Sequence, residues 1–194
     1  MTGNAEHGGG RRGSRWRMAA WAAAALILLL PWVAMQFTDE VAWDLADFAV
    51  FGALLIGVGV TYELAARMTG NTAYRAAVGV ALAAAFLLVW VNGAVGIIGS
   101  EDNNANLMYG GVLGVGIIGA VLARFRPHGM ARALFAMALA QAVVAVIALI
   151  AGSGSPGSGP LEIVGLNGFF IVLFVGSALL FRKAARGRAV QSTV

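Results

Sequence analysis

Apolar residues run along this chain in long stretches that short polar segments separate. A helix needs about 20 mostly apolar residues to cross the roughly 30 Å hydrocarbon core of a bilayer. Six segments of about that length span residues 18–35, 45–64, 76–98, 107–123, 131–151 and 163–181. None of them alternates polar and apolar residues as the strands of a membrane β-barrel do. The pattern therefore predicts an all-α integral membrane protein with six transmembrane helices.

The composition supports this prediction, since 60% of the residues are hydrophobic and only 11% are charged. Soluble domains are closer to half apolar and a quarter charged, so a water-soluble globular protein is excluded. The formal net charge of +4 would favour nucleic acid in a soluble protein. Here the basic residues lie between apolar segments, so we expect the lipid bilayer as the partner and no nucleic acid.

Lysine and arginine residues predict the orientation, because they accumulate in the cytoplasmic loops of membrane proteins. All 13 lie in the two tails, in the second-to-third and fourth-to-fifth connections or, for Arg132, at the start of the span that follows. Seven of the nine acids lie in the other connections or, for Asp47, at the start of the span that follows. We therefore expect three antiparallel hairpins with both termini in the cytoplasm. The basic residues are Arg11, Arg12, Arg15, Arg17, Arg67, Arg75, Arg124, Arg126, Arg132, Arg182, Lys183, Arg186 and Arg188.

The remaining segments are short. Residues 1–15 are glycine-rich and basic, and we expect a disordered cytoplasmic tail there. Residues 16–186 would form the six-helix transmembrane domain, 187–194 a second cytoplasmic tail, and 152–160 a flexible external loop. A cleaved signal peptide is an alternative for the first apolar segment. Its length and the lack of a small-x-small cleavage site favour a retained helix.

The three hairpins have a similar design. Arg17, Arg75 and Arg132 each open an alanine-rich span, at spacings of 58 and 57 residues. A polar residue then begins each glycine-rich return span, and these residues are Asp47, Asn106 and Asn167. Internal triplication would explain the pattern, and so would similar composition under one topology rule. If the hairpins are equivalent, the three polar side chains face one shared cavity.

Glycines in the fourth span predict close helix packing, because small residues let helix backbones approach each other. The glycines concerned are Gly110, Gly114, Gly116 and Gly119. No glycine-rich phosphate-binding motif occurs.

Common catalytic chemistry lacks its residues in this chain. There is no cysteine, and the two histidines, His7 and His128, lie outside the predicted spans. They cannot provide a bis-histidine haem site or a histidine-based zinc site within the membrane. No HExxH or GxSxG motif occurs. We therefore expect no cofactor and no enzyme activity, although chemistry based on carboxylates alone stays open.

Polar side chains gather on the predicted outer side. Carboxylate and amide oxygens are the ligands of hard cations such as calcium. They predict a divalent-cation site formed by Asp44, Asp47, Glu101 and Asp102, beside a ligand or cavity region with Asn92, Asn106 and Asn167. A vestibule for cations or small solutes is a second interpretation. In a third, acids collect where basic residues are excluded, and Asp and Asn cap helix starts.

The centres of the predicted spans are nearly free of ionisable residues. Proton pumps and ion-coupled transporters usually keep such a residue there, so its absence weighs against active transport. Gln141 is the one strongly polar side chain near a span centre, and we expect it to hydrogen-bond a neighbouring helix. Tyr109 lies near the predicted outer interface, where aromatic residues are enriched.

Three stretches, AMQFTDEVAWDLADF, VNGAVGIIGSEDNNANLMY and ARFRPHGMARALFA, resemble a family of small bacterial six-helix inner-membrane proteins with no assigned activity. The resemblance covers most of residues 16–186 and implies a multi-pass protein of the bacterial inner membrane. It identifies no site. We expect a structural or accessory membrane component, in a homo-oligomer or a larger membrane complex. The alternative is a small transporter or channel with an acidic, asparagine-rich outer vestibule.

Overall fold

All regular secondary structure is helical in the part of the chain that the computed structural model describes, residues 9–38, 42–154 and 157–191. This confirms the all-α prediction. The α-helices in those ranges are α1 (Gly9–Ala34), α2 (Leu45–Met68), α3 (Thr72–Ala94), α4 (Met108–Leu122), α5 (Pro127–Ala151) and α6 (Pro160–Gln191), and a 3₁₀ helix, Asn104–Leu107, directly precedes α4.

Long apolar helices dominate the structure. Within the described ranges, five are long and apolar enough to cross a membrane, namely α2, α3, Asn104–Leu122, α5 and the Pro160–Gly187 part of α6. The apolar part of α1, Met18–Ala34, is shorter. These lengths and compositions are those of a multi-pass helical membrane protein.

Several helix ends differ from the sequence prediction, and two of them have a clear local cause. The third span was expected to continue to Ile98, but α3 ends at Ala94. Gly96 follows with a φ of +72°, which breaks the helical path. The sixth span was expected to end at Phe181, whereas α6 continues to Gln191. No proline interrupts that basic segment, and its alanines and arginines are good helix formers.

The predicted tails also overlap with helices. α1 begins at Gly9, inside the segment 1–15 for which we expected disorder, and residues 1–8 lie outside the described part. α6 likewise includes residues 187–191 of the predicted carboxyl-terminal tail, and residues 192–194 are outside the description.

The chain divides into two compact units, and the division follows Val60 within α2. In the first unit, α1 and α2 approach closely where α2 has a glycine. A Cβ atom on Gly59 would lie 2.8 Å from the Trp21 ring, so a larger residue would force the ring to move. Near the start of α2, the rings of Trp43 and Phe51 meet edge to face at 5.4 Å.

The second unit, from Thr61 onward, packs its helices around α5 and α6. α5 contacts both α4 and α6, and α6 also contacts α3. α5 buries eleven residues in this arrangement, and they recur along most of its length. α6 buries an aromatic row at helical spacing, including Phe170, Phe174 and Phe181. Tyr74 of α3 meets Phe181 edge to face at 5.1 Å.

Glycines allow α4 to lie against α5, as the sequence predicts, but only at two of the four positions. A Cβ atom on Gly116 would overlap with the Met137 sulfur, and one on Gly119 would lie 2.6 Å from the Ala133 Cβ. Gly110 and Gly114, in contrast, have no described atom within 4 Å of their Cβ positions. The close helix contact therefore uses the second half of α4.

Candidate functional site

The two acids at the start of α2 form a reciprocal helix cap. The Asp44 carboxylate accepts hydrogen bonds from the backbone N–H groups of Ala46 at 2.7 Å and Asp47 at 3.0 Å. The Asp47 carboxylate accepts one from the Asp44 N–H at 2.9 Å. This is the geometry of a capping box, which pairs N–H groups that the first helical turn leaves free. Both carboxylates thus have a local role, as the capping interpretation expects.

The second pair of acids, Glu101 and Asp102, lies exposed in a turn of the α3–α4 loop. Asp44 and Asp47 belong to the first compact unit and Glu101 and Asp102 to the second, so the convergence of the four acids stays a prediction. Within the described residues, no three His, Cys, Asp or Glu side chains group as metal ligands would. Asp39 and Glu40, which also belong to the predicted outer side, lie outside the described part.

Asn106 organises the loop between α3 and α4. Its Oδ1 accepts hydrogen bonds from the N–H groups of Ile97 at 3.2 Å and Ile98 at 3.0 Å. Its Nδ2 donates to the carbonyls of Ile98 at 3.3 Å and Ser100 at 2.7 Å. A carboxamide has two acceptor and two donor positions, so all four are occupied. The buried Asn106 side chain is therefore committed to the backbone of its own loop.

The α5–α6 loop is tied to the same region. Ser158 Oγ accepts a hydrogen bond from the Gly99 N–H at 3.1 Å, and Asn103 Nδ2 donates to the Ser153 carbonyl at 2.7 Å. Gly157 lies so close to Gly99 that a Cβ atom on it would be 3.0 Å from the Gly99 carbonyl carbon. Ser153 and Ser158, in the segment that the sequence predicts as a flexible loop, are thus hydrogen-bonded to the α3–α4 loop.

A second polar group lies inside the second unit, where three helices meet. Asn167 Oδ1 of α6 accepts from Gln141 Nε2 of α5 at 2.9 Å and from the Tyr109 hydroxyl of α4 at 3.1 Å. Asn167 Nδ2 donates to the Ile163 carbonyl at 2.8 Å. All three side chains are buried. The predicted hydrogen bond from Gln141 to a neighbouring helix is confirmed.

Two buried acceptors near these groups have no hydrogen-bond partner among the described residues, and they are Gln141 Oε1 and Asn92 Oδ1. Asn92 Nδ2 makes a long contact of 3.4 Å with the Asn106 carbonyl. Of the three amides assigned to a ligand, Asn106 and Asn167 are thus engaged by the protein, and Asn92 is partly engaged.

Sequence reasoning missed the polar roles of Tyr109, Ser158 and Ser177. Tyr109 was assigned to an interfacial aromatic belt, but its hydroxyl points inward to Asn167. Ser177 Oγ donates to the Ala77 carbonyl at 2.8 Å and joins α6 to α3.

The polar arrangement joins helices and loops through hydrogen bonds. Comparison with the models of known protein families, with curated proteins and with solved structures finds no match to this chain. The resemblance to small bacterial inner-membrane proteins therefore stays a prediction.

Proposed function

We propose that this chain is a six-span protein of the bacterial inner membrane with both termini in the cytoplasm, and that it acts as a structural or accessory component of a membrane assembly. One observation carries the proposal. The buried amides that the sequence favours for a ligand use their hydrogen bonds on the protein itself, with Asn106 at full capacity and Asn167 joining three helices. Such side chains support a rigid scaffold.

The outward faces of the helices carry exposed apolar side chains, as expected for helices that contact lipid. Large apolar side chains are exposed on α1, α2, α4, α5 and α6, and burial of apolar surface contributes roughly 25 cal/mol per Å². Examples from the second unit are Ile117, Ile118 and Leu122 of α4, Leu139 and Ile150 of α5, and Val172 and Leu179 of α6. A bilayer or a partner helix would cover these side chains.

The first half of α4 supports an accessory role. Gly110, Gly111 and Gly114 have no described atom within 4 Å of their Cβ positions, so this stretch of helix is open. Helices in membranes associate by close packing at small residues. We therefore place contact with another protein helix, from a second copy or from a different chain, on this part of α4.

The test is association in the native membrane. Tagged full-length chain, cross-linked in cells and then extracted, should yield a reproducible homo-oligomer or complex. Gly110→Leu with Gly114→Leu should reduce that yield several-fold, because the larger side chains block close approach. The matched control is Gly165→Leu with Gly168→Leu in α6, where the Cβ positions are also open. Equal melting temperatures would show that all variants fold.

Two results would contradict the proposal. One is a monomer with no cross-linked partner. The other is solute or ion flux through proteoliposomes containing the purified chain alone, which would favour the transporter or channel alternative.

A further inference from the structure

Three basic side chains lie on one outward face of α6, just beyond its apolar part. Leu179, Arg182, Lys183 and Arg186 follow the spacing i, i+3, i+4 and i+7, which places them in one row on a helix. We call these four residues the basic row. Phe181 and Ala184 are buried on the opposite side of the helix. The basic row is exposed, and it lines a shallow surface depression of about 400 Å³.

The three charges of the basic row have no counter-ion in the described part of the chain, where none of them makes an ion pair or a hydrogen bond. Glu63, an acid on the same predicted side of the membrane, pairs with Arg67 at 3.0 Å. The other described acids belong to the predicted outer side. An anion that neutralises the basic row must therefore come from outside the described chain.

The position of the basic row defines the chemistry of that anion. It lies where the apolar part of α6 ends, so its ligand would be at the level of the lipid head groups. Leu179 provides apolar surface on the membrane side, and the stems of arginine and lysine side chains also pack on apolar surface. Arginine can hold a phosphate oxygen pair with two parallel hydrogen bonds. A phospholipid carries both a phosphate group, which suits the basic side chains, and acyl chains, which suit the apolar surface at Leu179.

We propose that the basic row binds the head group of an anionic phospholipid from the cytoplasmic leaflet. The inference rests on the proposed topology, which places this end of α6 at the cytoplasmic surface. Clusters of basic residues directly after a transmembrane helix attract anionic lipids, with about 1 kcal/mol for each residue near the surface. The row would hold the carboxyl-terminal end of α6 at the membrane surface through a bound lipid.

The test compares two lipids on the purified full-length chain. Native mass spectrometry in detergent measures the apparent affinities for phosphatidylglycerol and phosphatidylcholine, and we expect the wild type to prefer phosphatidylglycerol. Arg182→Gln, Lys183→Gln and Arg186→Gln together should lower this preference at least tenfold, since one basic residue corresponds to a factor of about five. The matched control is Arg124→Gln, Arg126→Gln and Arg132→Gln, which removes the same charge from the α4–α5 region and should keep the preference.

Three outcomes would overturn the proposal. No preference in the wild type would exclude an anionic-lipid site. An equal loss in the control would mean that the total positive charge attracts the lipid and that no local site exists. Loss of the preference in millimolar inorganic phosphate would assign the row to a free anion. Thiol labelling separates these outcomes from a failure of the topology, because labelling of a cysteine at Gln191 from outside the cell would refute the topology whatever the lipid result.

Discussion

Asn106 illustrates how one buried side chain can replace regular secondary structure. The loop after α3 leaves the backbone N–H groups of Ile97 and Ile98 without helical partners, and the Asn106 oxygen accepts from both. A buried N–H group without an acceptor costs about 1–3 kcal/mol. The loop therefore depends on a carboxamide at this position, whatever the protein binds.

We expect Asn106→Leu to lower the free energy of unfolding by about 3 kcal/mol, because it removes the partner of two N–H groups and of the Ile98 carbonyl. The Ser100 carbonyl keeps its hydrogen bond from the Asn103 N–H. Thermal unfolding in detergent measures the effect. The matched control is Asn104→Leu, two residues earlier, where the side chain is exposed and the change should cost little. Similar melting of the two variants would contradict the structural role of Asn106.

The buried group of Asn167, Gln141 and Tyr109 predicts an asymmetry between two substitutions. Asn167→Leu removes the shared acceptor, so two donors on α4 and α5 lose their partner, and we expect a cost of about 1–3 kcal/mol. Gln141→Met removes one donor together with an oxygen that has no partner in the described chain, so its cost should stay below about 1 kcal/mol. Denaturant titration of both variants measures the difference. A larger cost for Gln141→Met would mean that Gln141 Oε1 holds a ligand or a water molecule.

The acids at the start of α2 predict a third comparison. Asp44→Ala should destabilise the protein by about 1 kcal/mol, because a helix loses its amino-terminal cap. Asp44→Asn keeps an acceptor for the same N–H groups and should change stability little. Thermal unfolding in detergent measures both effects.

The cation hypothesis predicts a different effect of the outer acids. Millimolar calcium should raise the melting temperature of the wild type and not of the variant with Asp47→Asn and Glu101→Gln. If calcium has no effect on the wild type, the acids serve only as caps and solvated surface.

At the scale of helices, the two halves of α4 have different surroundings although both are rich in glycine. Gly116 and Gly119 face α5 at distances that exclude a side chain, whereas Gly110 and Gly114 face open space. The glycine spacings are i, i+4 in the first half and i, i+3 in the second, and both place two glycines on one helix face. Only the position of α5 distinguishes them.

This difference predicts opposite effects of the same substitution. Gly119→Ala should destabilise the second unit by about 1–3 kcal/mol, because its methyl group would overlap with the Ala133 side chain. Gly114→Ala adds the same methyl group in open space and should be neutral or slightly stabilising. Melting temperatures of the two variants in one detergent provide the comparison. Equal destabilisation would show that α4 and α5 do not pack as described.

At the scale of the whole molecule, the distribution of charge is the main feature. All 13 basic residues lie in segments that the positive-inside rule places in the cytoplasm. The same distribution leaves the basic row of α6 without a counter-ion in the described chain, so the proposed topology and the proposed lipid site both depend on one property of the sequence.

The proposed topology predicts a labelling pattern, and the absence of native cysteine makes it measurable. Single cysteines at Gly10, Gly70, His128 and Gln191 should be protected from an impermeant thiol reagent in intact cells. Cysteines at Gln36, Asn104 and Ser155 should react. Permeabilised cells provide the control, because all positions on the cytoplasmic side should then become reactive. Labelling at position 70 or 128 in intact cells would overturn the model of six spans.

The sequence alone determined the helical class, the approximate extent of the apolar helices and the charge partition. These properties depend on local composition, because any segment of about 20 apolar residues satisfies its backbone only as a helix in lipid. The interpretation of Gln141 as an interhelical hydrogen-bonding residue was also available, since a strongly polar side chain in a span needs a partner.

Only the tertiary structure decided how the polar side chains are used. Tyr109 meets Asn167 across 58 residues of chain, and Ser158 meets Gly99 across 59. Such pairs depend on which helices become neighbours, and no local pattern encodes that choice. The same reason applies to Asn106. The sequence shows a carboxamide at this position, but not the four backbone groups that form hydrogen bonds with it. The length of an apolar segment and the positions of charged residues can be read directly from the sequence. The hydrogen-bond partner of a buried polar side chain depends on which helices pack together.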